Sequence, residues 1–381
     1  MDWTPAFARV IGEKSSHSRN EQNSSVSLKH MSKEENISWF ADIGLSDRPS
    51  VGGKGGSLGE LTKAGIDVPP GFVVRTEAFE RFIRKLDKEE PLRAPVEALD
   101  PDDLEKVGAV TKAIRERIEN EPMPAEVEND IKAAYKELCG DDAKSPVAVR
   151  SSATTEDAED ASFAGLQDTY LWVLGADETL NMVRSCWASL YSVESVCYRR
   201  RQNFPEDGVA MGVVVQKMVD ARTAGVMFTR SPTTGDKSVI TIEGAWGLGS
   251  AVVSGEVTPD RWVVAKLTGE ITTRDISNKH IRQSPKEGGG IEDVELPEAE
   301  RTAPCLSDDE LIQLKDIGRK TEKHYGKPQD IEWAVENGSG KILLLQSRPE
   351  TVWSAKDKAP VAEAQDNPMK HVMNIFGGKR S

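Results

Sequence analysis

The spacing of hydrophobic positions changes about halfway along the chain. Up to about residue 205, apolar residues recur at helical intervals, and the segment from about 176 to 201 predicts one long helix. Beyond it, short apolar runs separated by glycines and polar turns predict strands. Two of these runs, Met211–Val219 and Ala224–Phe228, flank a short polar turn and predict a β-hairpin. We therefore expect an α+β fold with a helix-rich first half and a sheet-rich second half.

The two ends of the chain lack this periodicity. Residues 1–35 are polar and rich in serine and asparagine, so we expect a flexible extension. Residues 354–381 are expected to form a polar linker and tail. Between the ends we place two lobes, residues 36–208 and residues 209–353.

Composition and charge narrow the possible partners. The 381 residues include 63 acidic and 49 basic side chains, for a net charge of −14. Such a chain is unsuited to nucleic acid, and an anionic ligand needs a local cationic pocket. No apolar run approaches the roughly 18 residues that cross a bilayer, and no apolar leader is present, so we expect neither membrane insertion nor secretion. Four widely spaced cysteines favour reduced thiols and a cytoplasmic location.

A glycine-rich segment with one lysine is the first candidate for phosphate chemistry. Residues 51–59 read VGGKGGSLG and precede a helix predicted from about Gly56. Glycines let backbone N–H groups approach phosphate oxygens, and Lys54 adds a positive charge. The spacing differs from that of the P-loop, GxxxxGK[ST]. Taken alone, the segment is equally compatible with a flexible turn.

Two further segments carry polar residues at the ends of predicted buried strands. Arg150 ends the first and is followed by small hydroxyl residues, a combination suited to phosphate oxygens. The alternative is a polar surface loop paired with nearby acids. Gln216 lies near the end of the second, where strand edges could meet an adenine ring. The alternative there is a strand that serves only the core.

The last predicted element is a hairpin whose register can be counted. A three-residue loop at 338–340 places Glu332 opposite Gln346 and Asp330 opposite Arg348.

Facing oxygen ligands in this hairpin suit Mg²⁺. Glu332 and Gln346 would supply those oxygens, and Arg348 would neutralise phosphate charge. The alternative is a cross-strand ion pair on a solvated face. We expect Ile342 and Leu344 on the same face, which favours at least partial coverage.

The order of these segments resembles the ATP-binding domain of the phosphoenolpyruvate synthase and pyruvate phosphate dikinase family, and rifampicin phosphotransferases are similar too. The resemblance covers roughly residues 44–353 and rests on GGKG, VAVRSSATTED, ASFAGLQDT, VVVQKMV, GLGSAVVSGEVTPD, QDIEW and LLLQSRPET. It implies a two-lobed ATP-grasp fold that binds ATP and Mg²⁺ between its lobes. Ser250 stands where many members have an acid, and Arg230–Ser231 replaces a common asparagine.

The resemblance also implies roles for individual residues. Phosphate-binding cations that take part in catalysis would be Lys54, Arg150 and Arg348. Gly165 and Thr169 would lie in a loop that covers the phosphates. Adenine would be held by Gln216, Lys217, Met218 and Val219, and Mg²⁺ by Glu332 and Gln346.

Family members continue into a swivelling domain whose histidine carries the phosphoryl group. None of the five histidines of this chain has the family's T-[SC]-H-A context. We therefore expect a split dikinase, in which a separate polypeptide carries the histidine and AMP and phosphate are released. By resemblance to split phenylphosphate and 4-cresol-phosphorylating synthases, a phenol or cresol is the favoured hydroxyl acceptor.

Several alternatives remain open at this point. The chain could be a phosphoenolpyruvate-synthase-like or antibiotic-phosphorylating subunit, or a self-contained small-molecule kinase that releases ADP. It could also be a non-catalytic ATP-binding regulatory subunit.

Overall fold

The computed structural model describes residues 35–140, 142, 144–154, 157–158, 161–162, 168–351 and 353. The α-helices are α1 (Arg48–Lys63), α2 (Thr76–Glu89), α3 (Arg93–Glu97), α4 (Leu104–Asn120), α5 (Ala125–Cys139), α6 (Ala176–Ser189), α7 (Val193–Arg201), α8 (Ser250–Val253), α9 (Glu298–Arg301) and α10 (Asp308–Tyr325). The strands are β1 (Ile37–Trp39), β2 (Gly71–Val74), β3 (Pro146–Ala153), β4 (Asp157–Ala158), β5 (Ala161–Ser162), β6 (Thr169–Leu174), β7 (Met211–Lys217), β8 (Ala221–Phe228), β9 (Val239–Trp246), β10 (Asp260–Ala265), β11 (Ile271–Asp275), β12 (Ile281–Pro285), β13 (Ile291–Glu295), β14 (Gln329–Glu336) and β15 (Ile342–Pro349). This mixture confirms the predicted α+β class.

The first sheet has the strand order β1-β2-β7-β3-β6 and is packed against helices of the first half of the chain. Helix α2 shows why these residues are helical, because Phe79, Phe82, Ile83 and Leu86 recur on one face and are all fully buried. Phe79 and Phe82 pack against Trp187 of α6 with ring centroids 5.9 and 5.5 Å away, the first edge-on and the second tilted. The helical layer therefore fixes one face of this sheet.

The second sheet has the order β11-β10-β9-β8-β14-β15, and α10 packs on one of its faces. Helix α10 begins at a capping box formed by Ser307 and Glu310 and ends at Gly326, which has a φ of 68°. Trp262 and Trp333 fill the interface with Leu311 and Leu314. The opposite face of the sheet is left to line a cavity.

The predicted hairpin at 211–228 is wrong. Strand β7 pairs with β2 and β3 of the first sheet, whereas β8 pairs with β9 and β14 of the second. Val213, Val214 and Val215 are fully buried, and such a continuous apolar run is typical of a central strand rather than of a hairpin arm. The chain thus changes sheets between Lys217 and Ala221, after β7.

The single long helix predicted over 176–201 is also wrong. The structure has α6 and α7, separated at residues 190–192. Ser192 caps α7 by accepting a hydrogen bond from the Ser195 N–H at 3.1 Å, so a new helix begins there. The apolar residues keep their helical spacing across residues 190–192, so the sequence pattern does not reveal this interruption.

The expectations about membrane insertion and about the cysteines can be compared with the structure. Among the described residues, no helix combines the length and apolar character needed to cross a bilayer. The cysteines Cys139, Cys186, Cys197 and Cys305 are buried free thiols.

Candidate nucleotide site

A cavity of about 370 Å³ lies between the two sheets. Every predicted site residue within the described part of the chain lines it: Lys54, Arg150, Thr169, Gln216, Lys217, Met218, Val219, Glu332, Gln346 and Arg348. Gly165 lies outside the described residues. The fold thus gathers residues that are separated by nearly 300 positions in sequence.

The glycines around Lys54 allow α1 to lie against β3. Helix α1 begins at Arg48 rather than near Gly56 and is interrupted at Gly52, which has a φ of 71°. A Cβ on Gly52 would lie 1.9 Å from the Ser152 carbonyl oxygen, so no other residue fits there. The Ser152 hydroxyl donates to the Val51 carbonyl at 2.9 Å and accepts the Gly55 N–H at 3.1 Å. These contacts place Lys54 near the strand that carries Arg150.

Arg150 connects the two sheets through its guanidinium. Nη1 donates to the Leu345 carbonyl at 3.0 Å. Nη2 donates to Glu332 Oε2 at 3.0 Å and to Gln346 Oε1 at 2.6 Å. Only 10% of its side chain is exposed, so the charge is held next to its acidic partner and away from bulk water.

The predicted register of the terminal hairpin is confirmed at the site. Glu332 pairs with Gln346 and Asp330 with Arg348. The loop, however, spans residues 337–340, and a bulge further along β15 shifts the pairing back by one residue.

That bulge lies at Leu345 and overturns one expectation about the faces. Ile342 and Leu344 pack on the opposite face, in the core beneath α10. Leu343 and Leu345 belong instead to the apolar cluster on the cavity side. Because of the bulge, Leu345 and Gln346 both line the cavity although they are adjacent in sequence.

Glu332 and Gln346 fit a hard divalent cation. Their oxygens converge on one positively charged nitrogen, Arg150 Nη2, so a single cation could reach both. A carboxylate and an amide oxygen are ligands that Mg²⁺ accepts. Among the described residues, no group of three or more His, Cys, Asp or Glu side chains could hold a metal ion.

The opposite end of the cavity is apolar and built from small residues. Val219, Ala224, Ala334 and Leu345 cluster there, and Ala224 faces Ala334 across β8 and β14. Short side chains at matched positions leave room for a flat ring. Sequence analysis missed Ala224, Ala334 and Leu345, whose signal is visible only once the strand partners are known.

The predicted adenine-binding residues lie at this end, but Gln216 is already engaged. Its Nε2 donates to the Pro69 carbonyl at 3.1 Å, and the side chain is buried. The Met218 N–H donates to the Pro146 carbonyl at 3.0 Å. These bonds fix the segment that crosses from the first sheet to the second.

Sequence analysis also missed a wall of the cavity between β9 and β10. Its residues are Leu248, Gly249, Ser250, Val253 and Ser254. They fall in the GLGSAVVSG segment, which contributed to the resemblance but received no site assignment.

The two described histidines lie away from the cavity. Neither His280 nor His324 lines it. His324 sits in the last turn of α10, where Nε2 lies 2.7 Å from Glu60 Oε1. No histidine of the described part of the chain therefore occupies a position next to the clustered cations.

Asp330 is a second carboxylate near Glu332. Burial raises the pKa of its carboxyl to about 6, the nearby Arg348 charge partly opposes this rise, and Glu350 adds to it. Arg348 Nε lies 3.6 Å from Oδ2, and Oδ1 has no hydrogen-bond partner among the described residues.

This raised pKa predicts a specific pH dependence of stability. The folded protein keeps the Asp330 proton up to about pH 6, whereas the ordinary value is 3.8, so the stability it contributes is lost as pH rises from about 4 to 6. Relative to Asp330→Asn, the wild-type free energy of unfolding should fall by about 3 kcal/mol over this range. Urea titrations at several pH values measure the difference. Asp275→Asn, at an exposed position, is the control, and a pH-independent difference for D330N would contradict the prediction.

Comparison with known proteins places this geometry in a family. Residues 48–369 match the family described as pyruvate phosphate dikinase, AMP/ATP-binding domain. A probable phosphoenolpyruvate synthase from Archaeoglobus fulgidus is 45% identical over 331 residues, covering 87% of this chain and 43% of the relative. The phosphoenolpyruvate synthase from Pyrococcus furiosus is 41% identical over 372 residues, covering 87% and 45%. The probable phosphoenolpyruvate synthase from Methanothermobacter thermautotrophicus is 43% identical over 317 residues, covering 83% and 46%.

The chain thus spans less than half of the length of these relatives. ATP and Mg²⁺ are the cofactors of this family, which agrees with the cofactors expected from the sequence. The chain belongs to the pyruvate phosphate dikinase AMP/ATP-binding domain family.

Proposed function

We propose that this chain is the ATP-binding unit of a dikinase-type phosphotransferase and binds Mg-ATP in the cavity between its sheets. The observation that carries the proposal is that one cavity is lined by three cations, Lys54, Arg150 and Arg348, by two oxygen ligands, Glu332 and Gln346, and by an apolar cluster. A nucleotide has matching parts, a flat apolar ring and a polyanion.

Each end of the cavity has a defined task. Lys54, Arg150 and Arg348 bind and orient the phosphates, and Glu332 and Gln346 hold Mg²⁺, which supplies charge neutralisation when bound. For this, Arg150 exchanges its contacts with Glu332 and Gln346 for phosphate oxygens.

The adenine ring lies against Met218 and Val219, with Gln216 and Lys217 at the end of the strand that precedes them. Thr169 faces the phosphates at the start of β6.

The phosphoryl group leaves on a histidine of a partner polypeptide. This part of the proposal is supported by the two described histidines, which lie away from the cavity. The histidine attacks the β-phosphorus of ATP, which breaks the bond to AMP and leaves a pyrophosphoryl group on the histidine. Water then cleaves the terminal phosphate, and the phosphoryl group that remains on the histidine passes to the acceptor, so one difficult transfer is divided into easier ones.

The names of the relatives favour a phosphoenolpyruvate-synthase-like acceptor, pyruvate, over the phenol or cresol expected from the resemblance to split synthases. No observation on this chain supports an antibiotic as acceptor.

Product analysis tests this function. The chain alone with Mg-ATP should bind nucleotide and release little AMP. Addition of Pyrococcus furiosus phosphoenolpyruvate synthase lacking its own matched segment, with pyruvate, should raise AMP formation at least tenfold, because a histidine acceptor is then supplied. The chain carrying Glu332→Gln in the same mixture is the control. ADP formation by the chain alone would contradict the proposal and indicate a self-contained kinase, and stimulation by phenol but not pyruvate would reassign the acceptor.

A further inference from the structure

The cavity wall at residues 248–254 belongs to neither sheet, so something else must hold it. Its helix α8 has only four residues, too few to be stable by itself. A small apolar cluster packs Ala251 against Ala245, Val257 and the partly buried Ile281. These contacts fix the back of the wall, and polar contacts fix its two ends.

All of those polar contacts are made by one buried residue, Gln283 of β12. Its backbone carbonyl accepts the Leu248 N–H at 3.1 Å. Its Oε1 accepts the Ser250 hydroxyl, and its Nε2 donates to Glu256 Oε2 at 2.9 Å. A Cβ on Gly247, which has a φ of 78°, would lie 2.4 Å from the same carbonyl oxygen, so this approach requires glycine.

An amide is the side chain that this arrangement demands. It accepts from Ser250 and donates to Glu256 at the same time. Glutamate would place two carboxylates together, and leucine would leave the Ser250 hydroxyl and the Glu256 carboxylate without this partner.

The hairpin that carries Gln283 also reaches the other wall of the cavity. At its tip, the Gly290 N–H donates to the Trp172 carbonyl of β6 at 3.0 Å. Trp172 has a φ of 58°, unusual for a bulky residue, and follows Leu171, which lines the cavity. The β12–β13 hairpin therefore contacts both sides of the site.

The wall lies next to strand β8 of the second sheet. A Cβ on Gly249 would lie 3.4 Å from the Ala224 Cβ, next to Gly225. Along β8, Ala224 faces Ala334 of the apolar end, and Val226 faces Glu332 of the phosphate end. The wall thus lies beside the apolar end of the cavity, where the adenine ring is proposed to lie.

We infer that Gln283 is a positioning residue for the nucleotide: it fixes Leu248 and Ser250 at the width that a bound ATP requires. The inference rests on the proposed nucleotide site and adds a residue outside the cavity lining to it. Gln283 acts through Ser250 and touches no part of the nucleotide itself.

Equilibrium binding of Mg-ATP to the full chain tests this role. Gln283→Leu should weaken binding about tenfold, because the Ser250 hydroxyl of the wall and the neighbouring Glu256 carboxylate each lose a hydrogen bond. Gln313→Leu is the matched control, since it makes the same change at an exposed position of α10, and it should bind as the wild type does. Glu256→Gln keeps an acceptor for Nε2 and should also retain wild-type affinity, whereas Glu256→Leu should weaken it.

A double-mutant cycle separates positioning from a general loss of stability. If Gln283 acts through Ser250, the variant with both Ser250→Ala and Gln283→Leu should bind ATP no more weakly than the weaker single variant. The inference would be overturned if the losses of ATP affinity of the two single variants multiplied in the double variant. Wild-type affinity in both Q283L and E256L would overturn it as well.

These binding measurements distinguish a wrong role for Gln283 from a wrong nucleotide site. Wild-type protein that binds no ATP would overturn both. Wild-type binding that loses its Mg²⁺ dependence in Glu332→Gln but is unaffected in Q283L would overturn the role of Gln283 alone.

Discussion

Glu332→Gln should reduce ATP-dependent phosphoryl transfer by about a thousandfold or more while leaving the fold intact. Glu332 is the carboxylate among the two proposed metal ligands, and glutamine keeps its shape and hydrogen-bonding reach but removes its charge. The variant also leaves the Arg150 guanidinium without its acidic partner, which sits 3.0 Å away in the wild type. Nucleotide should still bind, because the apolar end of the cavity is untouched, but metal-dependent tightening should be lost.

The measurement compares AMP formation and ATP affinity with and without Mg²⁺. Glu336→Gln is the matched control, since it makes the same change in the same strand but near the hairpin tip, where Glu336 accepts the Ser339 hydroxyl at 2.5 Å. E336Q should behave as the wild type. Equal metal dependence in E332Q and wild type would remove Glu332 from the site.

Arg150→Met should have two opposite effects. Transfer should fall by about a thousandfold, because a guanidinium that stabilises transferring phosphate is lost. Binding of Mn²⁺ in the absence of nucleotide should become about tenfold tighter, because Glu332 and Gln346 no longer hold the Arg150 charge between them. A residue that only connected the two sheets would not produce the second effect.

Mn²⁺ affinity is measurable by electron paramagnetic resonance of the free ion. Arg274→Met is the control, because Arg274 is exposed and pairs with Asp308 at 2.7 Å far from the cavity lining. Arg150→Lys should be intermediate, since it keeps a charge but not the two-pronged geometry. Mn²⁺ affinity that is unchanged in R150M would show that the guanidinium does not compete with the cation.

Sequence alone was sufficient to predict the strand pairing at the proposed phosphate end of the site. Glycine and strand periodicity fixed the hairpin that pairs Glu332 with Gln346, and this pairing is confirmed. The prediction omits two features, however, whose effects cancel. The loop is one residue longer than counted, which shifts the register by one residue, and the bulge at Leu345 shifts it back. Local patterns do not distinguish these cases, since a bulge depends on what packs on both faces of the strand.

The rest of the site depends on contacts between segments far apart in sequence. The run Met211–Val219 predicted a hairpin, but only the two-sided burial of β7 shows that it is a central strand. Ala224 and Ala334 carry no chemical signal until their strands are paired. Gln283 is ordinary in sequence, and its importance follows from the Ser250 and Glu256 side chains that meet it.

The most direct test of the account is a crystal structure of the chain with Mn²⁺ and a non-hydrolysable ATP analogue, with the metal located by anomalous scattering. We expect the metal within bonding distance of Glu332 and Gln346, the adenine ring between Val219 and Ala334, and Arg150 on phosphate oxygens instead of on Glu332. A nucleotide bound outside the cavity between the two sheets, or a metal held by other side chains, would contradict it.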